Sequence, residues 1–143
     1  MNERVEPLRQ VPLFKALLDR SLHLIAGLIS EETYDSGYEV IREGEVAERL
    51  YILVDGTVMV VKGYLQENAA ALSFDGPIST FGEIGLIDGG TRSATVVTVE
   101  RCRFLTLERE AFRILLHNNI DICRQLLFEA CGRLREADEV AAL

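Results

Sequence analysis

The chain has 143 residues, 48% of them hydrophobic, enough apolar material for one well-formed core and too little chain for two enzyme domains. Its formal charge of −8, from 23 acidic and 15 basic residues, argues against a surface that tracks nucleic-acid phosphates, though one small anionic ligand is still compatible with it. With two histidines, His23 and His117, a His-rich metal site within one chain is excluded.

No apolar run reaches the roughly 18 residues of a membrane span, and no signal-peptide core follows Met1-Asn2-Glu3-Arg4. The expectation is a soluble cytoplasmic domain with no membrane attachment of its own, complete or excised from a longer protein. Cys102, Cys123 and Cys131 are odd in number, lack zinc-ligand spacing, and read as reduced thiols.

The first 30 residues read as helical. Pro12 to Leu17 forms a short helical turn, and Asp19 stands at an N-cap position ahead of Leu22, Ile25, Leu28 and Ile29. Residues 31–107 switch to short strands. Tyr51–Val54 and Thr57–Val61 flank Asp55-Gly56, a hairpin signal because a primed turn needs positive φ. Thr95–Val99 and Cys102–Leu107 make a second strand pair, turned at Glu100-Arg101. Strands of this length with regular turn signals predict a small barrel or jelly roll.

Residues 108–143 return to helix. Ala111, Phe112, Leu115 and Leu116 line one face, and Asn118-Asn119 breaks the run. A final helix places Ile120, Cys123, Leu127, Ala130, Leu134, Ala137 and Ala141 on one stripe. The stripe is expected to pack on the domain's own barrel, with a two-helix dimer seam as the alternative. The fold class is therefore mainly β with flanking helices: one domain over 1–143, a jelly-roll barrel between N-terminal helices and two C-terminal helices.

The segment Phe81 to Val96 carries the chemistry. Gly82 and Gly85 admit close backbone approach, and a short helix starting there would aim N–H groups at an anion. Arg92 follows the Gly89-Gly90 turn beside the small residues Ser93 and Ala94. A guanidinium presents paired donors that match the two free oxygens of a phosphodiester, whereas Glu83 accepts from hydroxyl groups. From spacing alone, a structural ion pair between Glu83 and Arg92 is an equal reading.

Phe81-Gly82-Glu83 and Arg92-Ser93-Ala94, at this separation, resemble the phosphate-binding cassette of the cyclic-nucleotide-binding family. That family includes the catabolite activator protein and the regulatory subunits of cAMP-dependent protein kinase. Val11 to Phe14, Gly44-Glu45 and the stretch Tyr51 to Val61 extend the similarity over most of the chain; Ile78 stands where the family usually has glycine.

The resemblance implies a β-roll, or double-stranded β-helix jelly roll, whose last helix acts as a lid and transmits ligand occupancy. It implies a regulatory domain that binds cAMP, or less favourably cGMP, as ligand, with neither cofactor nor metal and with no catalytic residues. Arg92 would clamp the cyclic phosphate, helped by amides of Gly85 and Ala94 and the Ser93 hydroxyl, and Glu83 would accept the ribose 2′-OH. Gly82, Ile84 and Leu86 complete the cassette, Val60 would flank the sugar and base, and Ala137 and Asp138 would lie near the base edge.

The competing expectation is a degenerate copy of the fold serving as an interaction or dimerisation module. A cupin-type enzyme is disfavoured by the histidine count. Direct contact with DNA is not expected, since a helix-turn-helix would have to follow Leu143. The partners implied are a cyclic nucleotide and either a second copy, through the last helix, or a larger regulated protein.

Overall fold

The computed structural model describes residues 4–142. Eight strands form two antiparallel four-stranded sheets, with strand orders β1-β8-β3-β6 and β2-β7-β4-β5. In chain order these are β1 Ser30–Tyr34, β2 Glu39–Ile41, β3 Arg49–Asp55, β4 Val58–Lys62, β5 Ala70–Asp75, β6 Ser79–Phe81, β7 Thr95–Thr98 and β8 Cys102–Glu108. The architecture is the jelly roll expected from the short, turn-punctuated strands.

The pairing differs from the sequence reading in an instructive way. Asp55-Gly56 does turn, and Gly56 has φ 101°. It does not make a hairpin, because β3 pairs with β6 and β8 while β4 pairs with β5 and β7. The turn instead passes the chain from one sheet to the other. The same holds at Glu100-Arg101, which leads from β7 in one sheet to β8 in the other. Jelly rolls close their core by such crossings, and a local turn signal carries no information about which sheet the next strand joins.

The core between the sheets holds Ile41, Tyr51, Leu53, Val58, Val96, Cys102 and Phe104, with Tyr34, Val40, Val60 and Phe81 packed against it. Phe104 is fully buried and meets both Tyr34 and Tyr51 edge-on, at 5.8 Å between ring centroids. The Cys102 thiol donates to the carbonyls of Thr57 and Glu100 (3.2 and 3.3 Å), and burial raises its pKa. It is a packing residue.

Residues 28–113 form one compact unit, and the described residues up to 27 with those from 114 form a second. The helical unit contains α1 Val5–Arg9, a 3-10 turn Pro12–Phe14 and α2 Asp19–Ala26. The cassette carries α3, Glu83–Asp88. Then follow α4 Arg109–Asn118, which begins in the barrel unit, and α5 Ile120–Ala142, which packs on the 3-10 turn. Asp19 is not a cap: Leu18 occupies that position, and the Asp19 carboxylate instead takes Arg9 at 2.7 Å, a partner that lowers its pKa.

The stripe on α5 is also revised. Ile122 and Leu126, which lie off the stripe, are the buried residues of α5 among those described, whereas Ile120, Leu127 and Leu134 of the stripe are 66–71% exposed. Ala141 lies outside the residues whose side chains are described. No helix of the described residues is long and apolar enough to cross a membrane.

Candidate ligand-binding site

The cassette is pinned by a loop that precedes β3. Gly44 N–H donates to the Arg92 carbonyl, Arg92 N–H to the Glu45 carbonyl, and Ala47 N–H to the Gly90 carbonyl, at 2.8–2.9 Å. These bonds hold residues 90–92 against 44–47 on either side of an isolated bridge between Val46 and Thr91. The Arg92 side chain therefore leaves from a backbone fixed on both sides.

Gly82 and Gly85 are required by their immediate surroundings within the protein. Gly82 has φ 90°, and a Cβ there would overlap Nη1 of Arg92 and lie 3.2 Å from the Arg49 carbonyl oxygen. A Cβ on Gly85 would overlap that of Ala47. Both glycines make room for other parts of the protein itself: one for the arginine head group, the other for the loop under α3.

A cavity of about 380 Å³ opens at this point, within the range of small-ligand pockets. Of the residues expected from sequence, Gly82, Glu83, Gly85, Arg92, Ser93 and Ala94 line it, as does Val60. Leu86 does not: its side chain is fully buried and its N–H donates to the Gly82 carbonyl within the helix. It supports α3 from beneath, which corrects the expectation that it faces a ligand. The side chain of Ile84 lies outside those described. Ala137 and Asp138 are exposed on α5, in the helical unit.

The lining also includes residues that sequence reasoning missed. Ile41, Ala47 and Val96 supply apolar wall, and Thr80 brings a hydroxyl. Thr80 Oγ1 donates to Glu83 Oε2 at 3.1 Å, which orients the carboxylate beside the cavity. At the rim, Lys62 Nζ donates to the Ser93 carbonyl (2.7 Å) and pairs with Glu43 at 3.3 Å. The Gly63 N–H and Lys62 hold the Glu43 carboxyl below its usual pKa.

Arg92 and Glu83 do not form the ion pair that spacing alone left open. Among the described residues Arg92 is within ion-pair distance of no carboxylate, whereas Arg49 is paired with Glu32 and Glu108, at 2.9 and 2.6 Å. Arg92 Nη2 donates to the carbonyl of Arg49, its Cζ lies 5.8 Å from the centroid of Tyr51, and its Nη1 is buried with no hydrogen-bond partner among the described residues. Burial lowers the Arg92 pKa, and Tyr51 and Glu45 work against that shift. A half-buried cation with an unfilled donor costs stability unless an anion completes it. The arrangement suits an anionic ligand that also carries a hydroxyl and an apolar body.

The jelly roll sets an arginine that has no carboxylate within ion-pair distance among the described residues beside a glutamate and small residues, in an apolar-walled cavity suited to an anion. The family of cyclic nucleotide-binding domains matches residues 31–119, and the chain belongs to it. It is 32% identical over 127 residues to the cyclic AMP receptor protein of Thermus thermophilus, covering 89% of this chain and 59% of the relative. It is also 32% identical over 120 residues to a cAMP-dependent protein kinase regulatory subunit of Mucor circinelloides, covering 82% of this chain and 27% of that protein. Among solved structures, the N-terminal domain of a transcriptional regulator from Streptomyces coelicolor superposes with TM-score 0.86 and 28% identity, over 94% of each chain. The chain thus spans about three fifths or less of the length of these two curated relatives.

Proposed function

We propose that the domain is a sensor that binds cAMP in preference to cGMP, with Arg92 on the cyclic phosphate and Glu83 on the ribose 2′-OH. The amides of Gly85 and Ala94 and the Ser93 hydroxyl assist at the phosphate, and Val60 and Val96 flank the sugar and base. The observation that carries this reading is the buried, unpartnered Nη1 of a cavity-lining arginine that has no carboxylate within ion-pair distance among the described residues. The names of the relatives, a cyclic AMP receptor and a cAMP-dependent kinase subunit, support the choice of base. The reading is of a binding module, with no catalytic step.

Occupancy is passed on through the last helix. Arg109, the first residue of α4, packs its guanidinium against the Gly89 cap of α3, with Nη2 2.7 Å from where a Cβ would stand. Its N–H also donates to the Glu48 carbonyl at 2.8 Å. A shift of the cassette is thereby felt at the start of α4, a helix whose far end is separated from α5 by the single residue Asn119. Ile120, Leu127 and Leu134, exposed at seven-residue spacing, support a homodimer through α5 or attachment to a larger regulated protein. Ala137 and Asp138 keep their proposed part at the base edge.

The role of Glu83 is tested with 2′-deoxy-cAMP. A hydrogen bond to a charged group contributes about 1.5–3 kcal/mol, so the deoxy analogue should bind at least about tenfold more weakly than cAMP. In Glu83→Gln the gap between the two ligands should narrow. Equal affinities for the two ligands on the unsubstituted protein would remove Glu83 from the ribose site.

A further inference from the structure

The geometry points to Tyr51 as a positioning residue for the phosphate clamp: its ring, with the backbone carbonyl of Arg49, holds Arg92 extended in the cavity without neutralising it. The inference rests on the reading that the cavity takes a cyclic nucleotide, and it names what keeps the clamp ready before the ligand arrives.

The placement follows from where one strand ladder stops. β6 pairs with β3 from Leu53↔Ser79 to Tyr51↔Phe81, and then Gly82, at φ 90°, turns the chain away. The carbonyl of Arg49, two residues further along β3, is met on that side by Arg92 Nη2. The guanidinium thus takes the position a next strand residue would have filled. Gly82 has no Cβ to obstruct it.

Tyr51 fixes the second coordinate. It is 9% exposed, on a strand paired on both sides, and its ring meets Phe104 edge-on at 86°. The ring cannot swing without disturbing the core, and the guanidinium Cζ lies 5.8 Å from its centroid. Arg49 is itself tethered, with its side chain held by Glu32 and Glu108, and Glu32 also accepts from the Tyr34 hydroxyl at 2.8 Å. The carbonyl that receives Arg92 is therefore part of a rigid strand.

The chemistry of the two holders is what matters. An arginine side chain loses rotamer entropy when a ligand orders it. A carboxylate could order it in advance, yet would then compete with the incoming phosphate for the same donors. A carbonyl and a π face order it without cancelling its positive charge, and Nη1 keeps an unfilled donor among the described residues.

The test has one arm that needs no ligand. In the free protein, side-chain nitrogen NMR should show Arg92 with slow rotation about Cζ–Nη, and this signature should be lost in Tyr51→Leu and retained in Tyr51→Phe. In cAMP titrations Tyr51→Leu should lose about tenfold in affinity, with Tyr51→Phe restoring most of it, as expected if the ring face is the contact. In an Arg92→Ala background, followed by ligand-detected NMR at millimolar cAMP, adding Tyr51→Leu should change affinity by less than about twofold, since the two residues then have nothing left to couple.

Retention of slow Arg92 rotation in a folded Tyr51→Leu protein overturns the proposal. So does an equal loss of affinity from Tyr51→Leu with and without Arg92, which would make its effect merely structural. If the unsubstituted protein takes up no cyclic nucleotide, the functional reading falls, while the NMR arm still decides whether Tyr51 holds Arg92.

Discussion

Arg92→Ala is expected to weaken cAMP binding by about 2–3 kcal/mol, roughly 30- to 150-fold, while leaving the free protein close to its original stability. The affinity loss follows from the division of the guanidinium's donors. Nη2 is already committed to the Arg49 carbonyl, so the buried Nη1 has the most to gain from a ligand oxygen. Charge-assisted hydrogen bonds in a partly desolvated site are the strong ones.

The small effect on stability follows from the same environment. Truncation removes one hydrogen bond and the contact with Tyr51, but it also removes a half-buried charge with no carboxylate partner among the described residues. The two changes oppose each other, and the melting temperature without ligand should move by no more than about 3 °C. Calorimetric titration and thermal melts measure the two quantities separately. A large fall in melting temperature with unchanged affinity would show that Arg92 is a structural residue.

Phe104→Ala is expected to destabilise the fold by about 3–5 kcal/mol, read by chemical denaturation. The side chain is fully buried at the centre of the core, between the rings of Tyr34 and Tyr51, on a strand paired to both β1 and β3. The strands around it are held by their own ladders, so the space it leaves cannot easily collapse. Phe104→Leu keeps most of the volume and loses the two edge-on ring contacts, each of about 0.5–1.5 kcal/mol, so its cost should be clearly smaller. A loss below about 1 kcal/mol for the alanine variant would mean that the core sits elsewhere.

These two residues also show how much the sequence disclosed. The cassette was legible because its residues are local: Gly82, Glu83, Gly85, Arg92, Ser93 and Ala94 lie within 13 positions, and all line one cavity. What holds them was not legible. Arg92 is 43 residues from the Arg49 carbonyl that receives it, and no periodicity encodes a contact made by a backbone oxygen. Tyr51 read as one more strand residue in an apolar run.

The turns show the same division. Asp55-Gly56 and Glu100-Arg101 both turn the chain where expected, yet each links strands of different sheets. Strand partners are chosen by burial over the whole barrel, and turn chemistry acts on four residues at a time. On α5 the apolar residues are consistent with two faces. Ile120, Leu127 and Leu134 share one spacing and Ile122 and Leu126 another, and only packing selects the second pair for burial. A carboxylate at a helix start serves equally as a cap or as the partner of a nearby arginine, and Asp19 takes the second role with Arg9.

The central claim is that the cavity beside Arg92 takes a cyclic nucleotide, and calorimetric titration of the 143-residue protein with cAMP and with cGMP tests it most directly. The expected result is saturable heat from one site per chain, with cAMP the tighter ligand. The contradicting result is no heat of binding from either nucleotide at millimolar concentration.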